Sequence, residues 1–119
     1  MVMKEINWIQ ITSPSDIEQI IERSKMQPQV IFKHSTRCGT SFLVKESLEE
    51  AEVNGPADFY LLDLIAYRDI SNLIASAFLV DHASPQILVI KNGQCMYHRS
   101  HSAINMRSIN RELTMSHPD

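Results

Sequence analysis

The chain has 119 residues, a length that suits one domain spanning residues 1–119, since single domains cluster near about 100–150 residues. With 44% hydrophobic and 21% charged residues it belongs with ordinary globular sequences rather than disordered ones. Eleven Lys+Arg against fourteen Asp+Glu give a formal net charge of −3, which argues against nucleic acid as the partner, and the most apolar stretch, Ala57 to Ala66, is broken by Asp58 and Asp63 and is too short to span a membrane.

Taken in chain order, Ile6 to Gln10 reads as a weak first strand. Ser13-Pro14-Ser15-Asp16 predicts a helix start, with Ser13 as N-cap, Pro14 at the first helical position and Asp16 completing a capping-box-like pair. Ile17, Ile20, Ile21 and Ser24 then share one helical face, and Pro28 marks the stop. Gln29 to His34 is a short apolar run with β-branched and aromatic members, predicted as a strand. A second helix is expected from Cys38 or just after, with Leu43, Val44, Ser47, Leu48 and Ala51 inward and Asn54-Gly55-Pro56 as the stop.

Asp58 to Leu64 has the near-continuous apolar character of a strand buried on both faces. Asp69 is read as the cap of a third helix with the stripe Ile70, Leu73, Ile74, Ala77 and Phe78. Beyond Ser84-Pro85 the period changes. Gln86 to Lys91 and Gln94 to Arg99 flank Asn92-Gly93, the strongest short hairpin signal there is. A last amphipathic helix carries Met106, Ile109 and Leu113 inward. The order β-α-β-α-β-α-β-β-α predicts an α/β fold whose sheet is parallel in its first part and antiparallel in its C-terminal hairpin.

Two cysteines, Cys38 and Cys95, do not make a disulfide scaffold, and the first residues show no basic region followed by an apolar one. The expectation is a cytoplasmic, reduced protein. Cys38 falls where a buried strand hands over to a helix, within His34-Ser35-Thr36-Arg37-Cys38-Gly39-Thr40-Ser41. A thiol there meets unpaired backbone N–H groups and the positive end of the helix dipole, which favour thiolate. Free cysteine is only a few per cent thiolate at neutral pH, so such a site multiplies the reactive population. Arg37 adds a positive charge, and Lys33 and His34 are placed to add more. The alternative is a cysteine used as a small core residue. The polar neighbours Ser35, Thr36, Thr40 and Ser41 speak for exposure instead. The spacing is Cys-x-x-Ser, so Ser41 cannot resolve a mixed disulfide and another thiol must. Ser41 either bonds the Cys38 sulfur or is a solvated first-turn residue.

Phe32-Lys-His-Ser-Thr-Arg-Cys38, His82-Ala-Ser-Pro-Gln-Ile-Leu-Val-Ile-Lys-Asn-Gly93 and Ser100-His101 resemble the YtxJ-type monothiol bacilliredoxins, over about Ile6 to Leu113. The resemblance implies a thioredoxin-like fold and removal of bacillithiol from protein mixed disulfides, with Cys38 as the attacking thiol. It also implies a cis Pro85 beside the cysteine, leaving the Ser84 backbone free to pair with an extended substrate segment. Residues alone would make Pro85 a trans proline opening an edge strand. Gly39 stands where the family usually carries proline, which leaves one more N–H free near the sulfur. Arg37 is placed to hold a carboxylate of a bacillithiol-like co-substrate, or else is a solvated charge.

Cys95 reads as a buried spectator rather than a resolving thiol, and no spacing among Cys38, Cys95, His34, His82, His98 and His101 matches a zinc pattern. His82 and His101 suit caps or surface hydrogen bonds, although both sit at strand ends within reach of the sulfur. The leading expectation is a thiol–disulfide exchanger with no bound cofactor, using a low-molecular-weight thiol as co-substrate and acting on S-thiolated proteins. A thioredoxin-like peptide-binding module with an incidental Cys38, and a monothiol glutaredoxin-like iron–sulfur carrier, are the other readings. Met115 to Asp119 reads as a frayed tail, which points to a monomer.

Overall fold

The computed structural model describes residues 5–115. The readings made for the first four residues, and for the tail past Met115, lie outside the described residues. The elements are β1 (Trp8–Gln10), α1 (Pro14–Arg23), β2 (Gln29–His34), α2 (Gly39–Glu50), β3 (Asp58–Asp63), α3 (Arg68–Phe78), β4 (Gln86–Lys91), β5 (Gln94–Ser100), a 3-10 turn (His101–Ala103) and α4 (Met106–Thr114).

The five strands form one sheet in the order β1-β3-β2-β4-β5. β1 and β2 flank β3 and both run parallel to it, whereas β4 pairs antiparallel with β2 and β5 with β4. This is the mixed sheet that the change of period after Pro85 predicts. Period-2 alternation splits the core by sheet face. Ile31, Tyr60, Leu62, Leu88 and Ile90 pack under α1 and α3, against Ile17, Ile20, Ile70, Ile74 and Phe78. Val30, Phe32, Phe59, Leu61, Ile87 and Val89 pack on the other face, with Leu48 of α2 and Ile109 and Leu113 of α4. The hairpin turns at Asn92 and Gly93, both at positive φ (51° and 78°), the geometry that makes Asn-Gly the preferred pair.

Several boundaries and faces differ from the sequence reading, each for a local reason. β1 is only Trp8–Gln10. α1 ends at Arg23, ahead of Pro28, because the Ser24 carbonyl and hydroxyl turn to accept the Asn92 and Gly93 N–H groups of the hairpin (2.9 and 2.8 Å). Its start is as read, with Ser13 as N-cap, Pro14 first in the helix and Asp16 completing the capping box, its carboxylate accepting from the Thr12 and Ser13 N–H groups (2.9 and 3.1 Å). α2 does not turn Leu43 and Ser47 inward. Both are exposed, and the inner face is Ser41, Val44, Leu48 and Ala51. α3 begins a residue before Asp69, which lies in its first turn with Tyr67 as N-cap. Its Leu73 and Ala77 are exposed, and Ser71 takes a buried place beside Ile70, Ile74 and Phe78.

Candidate active site

The C-terminal ends of β2, β3 and β5 and the start of β4 all lie at one end of the sheet, as their pairings require. α2 starts at that end, and so does the segment Ser84–Pro85 that leads into β4. Lys33 pairs with Gln86, and Gln86 with Ser100, so the cysteine corner, Pro85 and His101 are neighbours through the order of strands.

The corner is a turn in which the Cys38 N–H donates to the Ser35 carbonyl at 3.2 Å and the Arg37 N–H to the Ser35 hydroxyl at 3.4 Å. Cys38 is the N-cap of α2, with extended backbone (φ −113°, ψ 118°), and its carbonyl accepts the Phe42 N–H at 3.1 Å. The residue is half-buried, and as N-cap it sits at the helix end whose first N–H groups have no intrahelical acceptor. Arg37, Gly39 and Thr40 are exposed around it. A Cβ built on Gly39 meets nothing within 4 Å, so nothing steric requires glycine there.

Ser41 overturns both readings made of it. It is fully buried, and its hydroxyl is used within the corner rather than on the sulfur or on water. The Ser35 N–H donates to Ser41 Oγ at 3.1 Å, and His34 Nδ1 lies 2.7 Å from the same oxygen. The arrangement that satisfies all three atoms has the Ser41 hydroxyl donating to His34 Nδ1. His34 is itself buried and stacked on Phe32, ring centroids 5.8 Å apart. Burial first, and then the Lys45 ammonium, hold its imidazole below the usual histidine range, so it is neutral at pH 7 and adds no charge to the corner. Nor does Lys33 face the sulfur's side of the sheet: its Nζ reaches the Ser71 carbonyl of α3 at 3.1 Å.

The peptide bond between Ser84 and Pro85 is cis. Pro85 is buried, and its carbonyl accepts the His101 N–H at 3.0 Å, in a residue held at φ 55°. Ser84 Oγ is shielded from solvent and has no hydrogen-bond partner among the described residues. Cys95 pairs with Ile90 at the opposite end of β4. Four residues of strand at about 3.3 Å each put it roughly 13 Å from the Gln86 end, well outside the ~7 Å Cα separation that a disulfide allows. Its Sγ donates to the Tyr97 carbonyl at 3.3 Å, and burial pushes its thiol up. Cys38 and Cys95 therefore share neither a disulfide nor a metal ion in this fold.

Sequence reasoning missed the structural use of Ser41, Ser71 and Gln86. One signal was available: Lys33 and Gln29 interrupt a run predicted to be buried, and a buried polar group must find a partner.

The model of the family monothiol bacilliredoxin BrxC matches residues 9–109. A protein described as a candidate oxidoreductase with a thioredoxin fold shares 32% identity, with a TM-score of 0.73 over 87% of this chain and 90% of the other. The thioredoxin of Malassezia sympodialis superposes with a TM-score of 0.70 at 20% identity, over 96% and 93% of the two chains. That of Trypanosoma brucei brucei does so at 0.68 and 17%, over 95% and 93%. The fold is thus that of thioredoxin.

Proposed function

The chain belongs to the monothiol bacilliredoxin family, and from that premise we propose that it reduces mixed disulfides between proteins and a bacillithiol-like small thiol, with Cys38 as nucleophile. Membership and fold make it a thiol–disulfide oxidoreductase in the general sense. The finer reading rests on one observation. Cys38 is a half-buried residue at the start of α2, at the same end of the sheet as Pro85, and the other cysteine of the chain lies at the far end.

In the reaction the Cys38 thiolate attacks the sulfur of the small-thiol half of a protein mixed disulfide. A new S–S bond joins Cys38 to the small thiol, the old S–S bond breaks, and the protein sulfur leaves as thiolate and takes up a proton from water. A second small thiolate then attacks the adduct at its small-thiol sulfur, forming the symmetric small disulfide and returning Cys38 to thiolate. Exchange of this kind proceeds by in-line attack of thiolate on sulfur and needs no metal or bound cofactor. The N–H groups of the first turn of α2, including that of Gly39, stabilise the departing and attacking charge on Cys38. Arg37, exposed and without a side-chain hydrogen bond or ion pair among the described residues, is the group to hold a carboxylate of the small thiol. The Ser84 backbone receives an extended stretch of the protein half. Ser41 and His34 hold the corner from beneath. The protein acts as a cytoplasmic monomer in this reading.

The test is intact mass after mixing reduced protein with oxidised bacillithiol and, separately, with oxidised glutathione. The reading expects one bacillithiol adduct, absent from Cys38→Ser and released by added thiol. Failure of both disulfides to label Cys38 in folded protein, with ready labelling once denatured, would replace it with a peptide-binding module.

A further inference from the structure

A second polar group lies on the other face of the sheet, one residue from the corner. Lys33 is fully buried near the C-terminal end of β2, on the face whose core is Ile31, Leu62, Leu88, Ile70 and Ile74. Its Nζ donates to the Ser71 carbonyl at 3.1 Å, and Ser71, also fully buried, places its hydroxyl 3.2 Å from His82 Nδ1. Gln86, the partner of Lys33 across the β2–β4 pairing, donates from Nε2 to the Asp81 carbonyl at 2.9 Å. Both tethers end on Asp81 and His82, where the segment leading through Ser84 to Pro85 begins. Gln86 Oε1, like Ser84 Oγ, is buried with no partner among the described residues.

Such a lysine is an expensive choice for a core. Among the described residues no carboxylate forms an ion pair with it, and a buried unpaired ammonium opposes folding. The charged and titratable groups facing it are Arg68 of α3 and His82, both of which see its charge as repulsive. Burial first, and then Arg68, push Lys33 down to about 8. An apolar side chain of the same length would favour the fold more, and a local rule broken at a cost in stability is the mark of a functional position.

We propose that Lys33 and Ser71 position the Asp81–Pro85 segment that receives the protein half of the mixed disulfide, making Lys33 a positioning residue for protein substrates and not for small disulfides. This rests on the exchange reaction proposed for Cys38. The carbonyl bond fixes the first turns of α3 against β2, and the Ser71 hydroxyl carries that position across to His82. A small disulfide needs only the sulfur of Cys38. An extended protein segment needs the Ser84 backbone at its correct place as well.

The experiment compares reduced wild type, Lys33→Met and Ser71→Ala on two probes: an extended peptide carrying a bacillithiol mixed disulfide, and 2-hydroxyethyl disulfide. Both variants should lose roughly threefold to tenfold in rate on the peptide, the range for one positioning hydrogen bond. The loss should fall mainly on KM, with the small-disulfide rate within about twofold of wild type. Lys33→Met should also unfold at the same or a higher temperature at pH 7, the reverse of what a purely structural bond would give. Equal losses on both probes, or no loss on either, would overturn the positioning role. A wild type inactive on both probes would overturn the exchange reaction itself. Should Lys33→Met not fold, Ser71→Ala alone carries the comparison, since it keeps the carbonyl and removes only the link to His82.

Discussion

The two ends of the sheet treat buried polar groups in opposite ways. At the hairpin end, the Arg23 guanidinium donates to Asp58 from Nε at 3.1 Å and sits 3.0 Å away through Nη2, Gln29 Nε2 donates to the same carboxylate at 2.8 Å, and the Tyr60 hydroxyl donates to Gln29 Oε1 at 2.6 Å. The Asp58 carboxylate and both ends of the Gln29 amide are used, and the network reads as structure. At the cysteine end, among the described residues, a buried ammonium meets a neutral carbonyl and no carboxylate, and Ser84 Oγ and Gln86 Oε1 have no partner. Among the described residues, the buried side-chain atoms left without a hydrogen bond both lie at the cysteine end. That is the expected division where one end carries chemistry and the other carries the fold.

Substitutions sharpen this contrast, beginning with the largest effect. Cys38→Ser should abolish exchange outright, whereas Cys95→Ser should retain it, because Cys95 is about a strand's length away. Loss of activity in Cys95→Ser, read as turnover of a bacillithiolated protein, would break the contrast. Next come two substitutions of similar structural cost. Ser41→Ala leaves the Ser35 N–H and His34 Nδ1 buried without their partner, and Gln29→Leu strands the Tyr60 hydroxyl and one acceptor position on Asp58. Each should cost about 1–3 kcal/mol in denaturant unfolding. Only Ser41→Ala should also slow exchange.

Acid should act on the two ends in sequence. His34 and His82 are both held below the usual value of 6.5, each by burial first. Their contribution is complete above about pH 6.5 and is lost as pH falls through their lowered values. Asp58 is shifted down from 3.8, its bonds to Gln29 and Arg23 outweighing burial, so its contribution is lost only further down. Urea midpoints measured from pH 7 to pH 3 should therefore show a first loss absent from a His34→Phe, His82→Phe double variant, and a later one that this variant retains. The smallest effect belongs to Gly39→Ala. With open space around its Cβ, it should gain about 0.4–1 kcal/mol by restricting the unfolded chain, seen as a higher urea midpoint.

Much of this architecture was legible in the sequence, and for identifiable reasons. β2 and β4 carry continuous β-branched and aromatic runs, and Asn92-Gly93 admits the positive φ angles its turn needs, so both strands matched residue for residue. The position of Cys38 at the strand-to-helix corner was equally clear. The inner faces of α2 and α3 were not. Apolar periodicity assigns Leu43, Leu73 and Ala77 inward, but the buried places go to Ser41 and Ser71. Their partners, His34 and Lys33, lie 7 and 38 residues away. A hydroxyl's burial is decided by such partners, which a hydrophobic pattern does not contain. The same holds for Ser24, whose bonds to the hairpin end α1 well before Pro28.

The central claim is that one thiol at the cysteine end performs the exchange without a second thiol of the same chain. A single-turnover reaction of reduced protein with an equimolar bacillithiolated protein, followed by intact mass of both, tests it most directly. One bacillithiol mass should be gained on Cys38 for each protein thiol freed, unchanged in Cys95→Ser and absent in Cys38→Ser. An internal Cys38–Cys95 disulfide, or transfer that persists in Cys38→Ser, would contradict it.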